Sequence, residues 1–423
     1  MSTNRPKEKN NLPETWELNS TDDVLASDTG PLSLVYPESV PREIPRIWIR
    51  DACSCERCVD PSSGQKGFST PDIPDELPIA KARKTEDGSL KITWKDDFST
   101  GDDHVSVYSA QQVQSYYFRR VVGKRQGKPN QTTQLWDKAE MEELDPFFDF
   151  NEFVKGGSEY IAALSQLHSH GIFFLRNVPH IENAVEKIAE KIGIIQETFY
   201  GRTWDVISKP NAENVAYTSS YLGLHADLLY MNDPPRIQLL HCLKNTCQGG
   251  DSTFSDGLRA AQQLRHLNLN AWSILSTLRI RYWYTKGVHQ RSKHRPVVSD
   301  SDIYWSPPFQ CPEQLQALRW RGESAYSSWI AAARQFKELL EDDKYQYQYK
   351  MKEGECVVFN NLRTLHGRRE FDTSSGERWL KGTYVGSEAW EDKIREISPK
   401  LKNDKPTFPG KQAIVLNHLL RSS

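Results

Sequence analysis

His225 and Asp227 stand two residues apart in Leu224-His225-Ala226-Asp227-Leu228, and His366 lies far downstream in Thr364-Leu365-His366-Gly367-Arg368. On an extended strand, residues i and i+2 point to the same side, so His225 and Asp227 can offer one face of ligands. A third ligand from a distant strand, His366, completes a set of two imidazoles and one carboxylate. Such a set leaves adjacent positions open on Fe(II) for oxygen and a co-substrate. An H-x-D tripeptide by itself arises about once by chance in a chain this long, so the surroundings decide its meaning.

A second cluster has metal-ligand spacing. Cys53, Cys55 and Cys58 crowd into Cys53-Ser54-Cys55-Glu56-Arg57-Cys58, and His104 in Asp102-Asp103-His104-Val105-Ser106 is the expected fourth ligand. Three thiolates and one imidazole suit a closed, tetrahedral, structural zinc site. The other four of the seven cysteines are scattered. An odd count without regular spacing argues against a secreted disulfide framework and for metal in a reducing compartment.

The elements needed to position these groups can be read along the chain. Residues 1–30 are polar and are expected to be flexible. From 31 to 120, short alternating runs such as Ile47-Trp48-Ile49-Arg50 and Leu90-Lys91-Ile92-Thr93-Trp94, punctuated by Gly, Pro and Asp-Gly turns, predict a small β-rich domain that a zinc ion would cross-link. Residues 121–150 read as a linker, Lys/Arg/Gln-rich and then acidic. In 151–423, the spacing of Tyr160, Ile161, Leu164 and Leu167 predicts a helix stopped at Gly171. A buried strand Ile172–Leu175 and a second helix through Ala184, Ile188 and Ile192 follow. Beyond 195, short strands dominate, among them Ile237–Cys242 and Cys356–Phe359. Helices are expected near 257–277 and 326–341, and a last one runs from Ser387 through Trp390, Ile394 and Ile397. The fold class is therefore α+β, mainly β. Many short strands with helices outside predict a double-stranded β-helix, or jelly roll, whose mouth can hold a metal.

Composition narrows the function classes. A formal charge of −2 over 423 residues gives no electrostatic footprint for nucleic acid or an anionic membrane surface. No apolar run approaches the roughly 20 residues that span a bilayer. The first 40 residues carry Glu8, Glu14, Asp22 and Asp23 and lack a signal-peptide core, so a cytoplasmic protein is expected. The 12 Trp and 17 Tyr lean towards an aromatic-rich interior or pocket.

His225-Ala226-Asp227, then Gly249-Gly250-Asp251-Ser252, then Asn361-Leu362-Arg363-Thr364-Leu365-His366-Gly367-Arg368, then Arg378, occur in an order and spacing that resemble the taurine-dioxygenase-like Fe(II)/2-oxoglutarate oxygenases. Together with the Cys-rich segment, the chain resembles, over residues 45 to 400, the γ-butyrobetaine hydroxylase and trimethyllysine hydroxylase family, with γ-butyrobetaine dioxygenases nearest. The resemblance implies iron on His225, Asp227 and His366. It implies 2-oxoglutarate held at its far carboxylate by Arg378 and assisted by Ser252, O2 as oxidant, ascorbate as an optional reductant, and a homodimer. A planar guanidinium matches a carboxylate through two hydrogen bonds, which is why an Arg suits that end. Succinate and CO2 would be the co-products, and orienting the reactants and excluding water would be the protein's tasks.

The resemblance also implies a substrate. A quaternary ammonium makes no hydrogen bonds and is held by aromatic faces. The family's cage maps onto Tyr200, Trp204, Tyr217 and Tyr384, and Asn214 matches the amide that holds the substrate carboxylate. This implies hydroxylation of γ-butyrobetaine to L-carnitine. The alternative is the same chemistry on trimethyllysine, another trimethylammonium compound, or a carboxylic acid of specialised metabolism. Two departures bear on it. Where the family has a second Asn, this chain reads Ile303-Tyr304-Trp305-Ser306-Pro307-Pro308, with Ser306 at that place, a hydroxyl of shorter reach and fewer donors. Asn360 also stands where the family tends to have Asp.

Overall fold

The computed structural model describes residues 17–18, 32–35, 42–99, 101, 104–115, 133–207, 219–299, 301–311 and 323–403. The chain divides into two compact units that do not follow sequence order. The smaller comprises residues 1–59, 73–121 and 312–327, and the larger 60–72, 122–311 and 328–423. Residues 60–72, expected within the small domain, thus group with the larger unit.

In the small unit, Ile79–Lys84, Leu90–Trp94 and Val105–Tyr108 form an antiparallel meander. Leu90, Ile92 and Trp94 point inward with the period of two that their sequence announces. A second three-stranded sheet joins Glu17–Leu18, Leu32–Val35 and Arg42–Ile44. The stretch Ile47–Arg50, expected as a strand, is instead part of the helix Arg46–Asp51, entered from Pro45 and buried on every side. Short β-favouring runs carry little intrinsic preference, and complete burial overrides it.

The larger unit is built on two sheets, as expected of a jelly roll. The four-stranded sheet runs Leu222–His225, Thr364–Arg368, Ser252–Asp256, Gln346–Tyr349, all antiparallel. The six-stranded sheet runs Phe147–Asp149, Ile172–Arg176, Cys356–Asn360, Ile237–Asn245, Arg378–Val385, Trp204–Ile207, antiparallel except for its first pair. Residues 133–150 are accordingly no linker. Asp137 opens the helix Lys138–Leu144 with a reciprocal capping box to Glu140, and the chain then enters the sheet at Phe147.

The strand Ile237–Asn245 is buried nearly throughout because both its faces are covered. Ile237 and Leu239 join Val358, Leu164, Ile188, Trp390 and Ile397 in a core under the helices Ser158–His170, Ala184–Ile192 and Ser387–Asn403. Gln238 and Leu240 face the other way, into a cavity between the sheets. Phe254 closes the space between the sheets, with ring centroids 5.7 Å from Phe174 and 5.9 Å from Phe359. The helical region expected near 257–277 is two helices, Gly257–Leu267 and Leu269–Thr277, because Asn268 leaves the helical conformation and caps the second one. No helix among the described residues is long and apolar enough to cross a membrane.

Candidate active site

A bulge on the strand Leu222–His225 aims the first ligand. Leu222 pairs with Arg368 and His225 with His366, so three steps on one strand answer two on the other. The extra residue lets Leu222 and His225 both face inward, as bulges beside active sites commonly do. Gly367 permits this approach, since a Cβ there would lie 2.6 Å from the Leu222 carbonyl oxygen. The neighbouring strand continues the same rungs, Phe254 opposite His366 and Ser252 opposite Arg368. The interior face therefore has one level at His225 and His366 and a second level at Leu222, Arg368 and Ser252.

The ligand atoms of His225, Asp227 and His366 all lie within 4.8 Å of one another. His225 Nε2 is 3.3 Å from Asp227 Oδ1, and His366 Nε2 is 4.0 Å from Asp227 Oδ2. His225 Nδ1 donates to the Gly223 carbonyl at 2.8 Å, a contact that fixes the tautomer and leaves Nε2 bare for a metal. Burial and the neighbouring His225 push the His366 imidazole down to about 3, so it is neutral and ligand-ready at physiological pH. Although burial opposes it, the hydrogen bond that the Tyr384 hydroxyl donates helps to hold the Asp227 carboxyl below the usual carboxylate range. Two imidazoles and a carboxylate are the donor set that Fe(II) takes, and the residues fit it.

Asp227 is placed by Asn361 and Gln238, neither assigned a role from sequence, and by Tyr384, expected only as a cage residue. Asn361 bonds its backbone N–H and its carbonyl, at 2.7 and 3.1 Å. Gln238 Nε2 and the Tyr384 hydroxyl both donate to Oδ2, at 2.8 and 2.7 Å. Leu228, next in the chain, sits at φ +60, a costly conformation for a non-glycine residue that tends to mark functional sites.

The cavity above these ligands measures about 60 Å³ and is lined by Trp204, Ser252, Arg368 and Arg378 along with apolar Leu222, Leu240, Phe254 and Leu380. Arg378 is 7 % exposed, its Nε has no hydrogen-bond partner, and no carboxylate among the described residues pairs with it. Burial draws its guanidinium down to about 10. A buried, unmatched cation costs several kcal/mol unless an anion joins it. Arg378 passes over Gly250, where a Cβ would press its Cδ at 3.2 Å, which accounts for the glycine before Asp251-Ser252. Arg368, quoted in the motif but given no role from sequence, lies beside it. Both guanidinium carbons stand over Phe371, at 4.9 and 5.7 Å, and Arg368 also donates to the Ser220 carbonyl.

The residues expected to touch substrate are only partly gathered. Trp204 reaches the cavity. Tyr384 stacks on Trp204 with ring centroids 3.9 Å apart and spends its hydroxyl on Asp227. Tyr200 joins an aromatic cluster, 4.3 Å from Phe199 and 6.5 Å from Tyr284, and does not line the cavity. Ser306 is fully buried with no partner for its hydroxyl and is not on the cavity wall either. Its neighbours Trp305, Pro307 and Pro308 line a separate space of about 390 Å³, which shares only Leu222 with the cavity above the ligands. Asn214 and Tyr217 lie outside the described residues.

In the small unit, the four atoms Cys53 Sγ, Cys55 Sγ, Cys58 Sγ and His104 Nε2 come within 4.8 Å of one another, an arrangement compatible with zinc. His104 Nε2 lies 3.3, 3.8 and 3.6 Å from the three sulfurs in that order. Arg50, wholly buried, pairs with Asp97 through two hydrogen bonds and donates to Cys58 Sγ at 3.2 Å. A cation on a ligand sulfur favours its thiolate.

The description "Taurine catabolism dioxygenase TauD, TfdA family" matches residues 137–384, more than half of the chain. This chain belongs to that family. Residues 24–111 match a second family, "Gamma-butyrobetaine hydroxylase-like, N-terminal". Dioxygenase str8 of Strobilurus tenacellus is 34% identical over 377 residues, covering 84% of this chain and 85% of its own. The γ-butyrobetaine dioxygenase of Homo sapiens is 27% identical, covering 85% of this chain and 92% of its own. The mitochondrial trimethyllysine dioxygenase of Rattus norvegicus is 28% identical, covering 84% and 82%. The TauD/TfdA member described above is a 2-oxoglutarate-dependent dioxygenase, for which iron and 2-oxoglutarate are the implied cofactor and co-substrate.

Proposed function

We propose that the chain couples oxidative decarboxylation of 2-oxoglutarate to hydroxylation of an unactivated carbon, with γ-butyrobetaine as substrate and L-carnitine, succinate and CO2 as products. The observation that carries the reaction is Arg378, a buried guanidinium without an acid partner among the described residues, in the same cavity as the two-histidine, one-aspartate cluster. Iron with 2-oxoglutarate and O2 supplies an oxidant strong enough for a C–H bond. His225 and His366 would hold the metal through ring nitrogens, and Asp227 through its carboxylate. Arg378, with Ser252 on the wall of the same cavity, takes the far carboxylate of 2-oxoglutarate. Leu222, Leu240, Phe254 and Leu380 keep water from the reacting atoms. The substrate reading is supported by the family resemblance and by the aromatic surface of Trp204 on the cavity wall.

The same chemistry on a substrate without a trimethylammonium group is favoured by a specific observation. Tyr384, counted as cage, has its ring against Trp204 and its hydroxyl on Asp227, and Tyr200 is not on the cavity wall. The relative at 34% identity bears neither a γ-butyrobetaine nor a trimethyllysine name.

One assay separates the readings. Iron-loaded protein is given 2-oxoglutarate with γ-butyrobetaine, trimethyllysine or a panel of carboxylic acids free of ammonium groups, and succinate and hydroxylated product are counted. Carnitine formed in step with succinate supports the first reading. Succinate above background only with an ammonium-free acid replaces it with the second.

A further inference from the structure

We infer that Tyr384 and Gln238 are positioning residues for the metal, holding the outer oxygen of Asp227 so that its carboxylate meets iron through one oxygen only. The inference rests on the iron reading above and concerns the geometry of that site.

An ionised carboxylate oxygen only accepts hydrogen bonds and offers about two lone-pair directions. On Asp227 Oδ2 both are taken, by the Tyr384 hydroxyl at 2.7 Å and by Gln238 Nε2 at 2.8 Å. Oδ1 is left facing His225 Nε2 at 3.3 Å. The two donors arrive together because Gln238 and Tyr384 are directly paired across adjacent strands of the six-stranded sheet, which puts their side chains on the same face. Both are buried, at 1 % and 3 % exposure, so water does not compete for the contact. Gln238 must present its NH2, since its carbonyl oxygen would repel the carboxylate.

The chemistry needs this restraint. With two histidines and one carboxylate oxygen as its protein ligands, iron would keep positions open for the 2-oxo acid and O2. A carboxylate swinging to bind through both oxygens would occupy one of them. Tyr384 also stacks on Trp204, a wall of the cavity, so the substrate wall and the metal ligand share one side chain. Hydrogen-bonding partners of metal ligands commonly change affinity by about 10–100-fold when removed.

The test compares the full chain with Tyr384→Phe, which keeps the ring and its stack, and with Gln238→Leu. Anaerobic titration with Co(II), an oxygen-insensitive stand-in for Fe(II), gives the dissociation constant and the ligand-field spectrum. Either variant is expected to bind about tenfold more weakly with an altered spectrum, the double variant more weakly still, and melting temperatures within a few degrees of wild type. Unchanged affinity and spectrum in Gln238→Leu and Tyr384→Phe overturn the inference, as does a rise in substrate KM with metal binding intact. A wild-type chain that binds no Co(II) or Fe(II) overturns the iron reading along with it.

Discussion

Asn361 holds the peptide of Asp227 at both ends, its Oδ1 accepting from the Asp227 N–H at 2.7 Å and its Nδ2 donating to the Asp227 carbonyl at 3.1 Å. The same amide group also donates to the Pro235 carbonyl at 3.0 Å. These contacts oppose the strain of Leu228 at φ +60. Asn361→Ala leaves buried backbone groups unpaired and is expected to cost about 2–4 kcal/mol, read by denaturant unfolding, and to loosen the metal ligand next to it. Loss of under about 0.5 kcal/mol would show that the turn holds itself.

Arg378 sets function against stability. Its buried charge has no acid partner among the described residues, so Arg378→Met is expected to raise the melting temperature of the protein free of co-substrate. The same change is expected to raise the KM for 2-oxoglutarate at least about tenfold and to abolish the thermal shift that 2-oxoglutarate gives the wild type. A variant still stabilised by 2-oxoglutarate would place the carboxylate elsewhere, with Arg368 the first group to examine.

The cysteine cluster yields a metal-content prediction. Cys58→Ser or His104→Ala is expected to reduce bound zinc from about one ion per chain to near none, measured by elemental analysis after dialysis, and to melt the small unit at lower temperature. Equal zinc content in wild type and both variants would remove the site.

Two buried histidines tie stability to pH. Burial pushes His241 down to about 4, and burial with the Arg363 charge pushes His170 down to about 3. Below about 6.5 the unfolded imidazoles take up protons that the folded ones refuse, so the unfolded state gains and stability falls as pH drops from 6.5 towards 4. Above 6.5 both states are neutral and the effect vanishes. His241 has no hydrogen-bond partner on either ring nitrogen, so His241→Leu is expected to flatten this slope by up to about 1.4 kcal/mol per pH unit, read from urea midpoints at pH 5, 6 and 7. An unchanged slope would mean that His241 protonates in the fold.

How far the sequence reached depended on whether residue type or tertiary approach carried the signal. His225-Ala226-Asp227, His366, Arg378 and the cysteine cluster were legible because metal and carboxylate chemistry restrict residue type so sharply. The two sheets were legible as a succession of short strands, among them the apolar runs Ile172–Leu175, Ile237–Cys242 and Cys356–Phe359. Asn361 and Gln238 were not, because an amide is ordinary in a sequence and these reach Asp227 only when strands fold together across 134 and 11 residues. The polar Gln238 within the apolar run Ile237–Leu240 was the one available hint. Tyr384 was marked for its ring, whereas its hydroxyl makes the contact with Asp227, and spacing does not report where a hydroxyl points. Ile47–Arg50 misled because a six-residue helix buried all round lacks the periodicity that separates helix from strand.

The central claim is that His225, Asp227 and His366 would hold iron, and that Arg378 holds the far carboxylate of 2-oxoglutarate. The direct measurement is anaerobic absorption spectroscopy of the purified chain with Fe(II), before and after 2-oxoglutarate. A visible charge-transfer band that appears only when both are present, is lost in His366→Ala, and needs far more 2-oxoglutarate in Arg378→Met is the predicted result. A wild-type chain giving no band with both added, or a band that survives His366→Ala unchanged, would contradict the account.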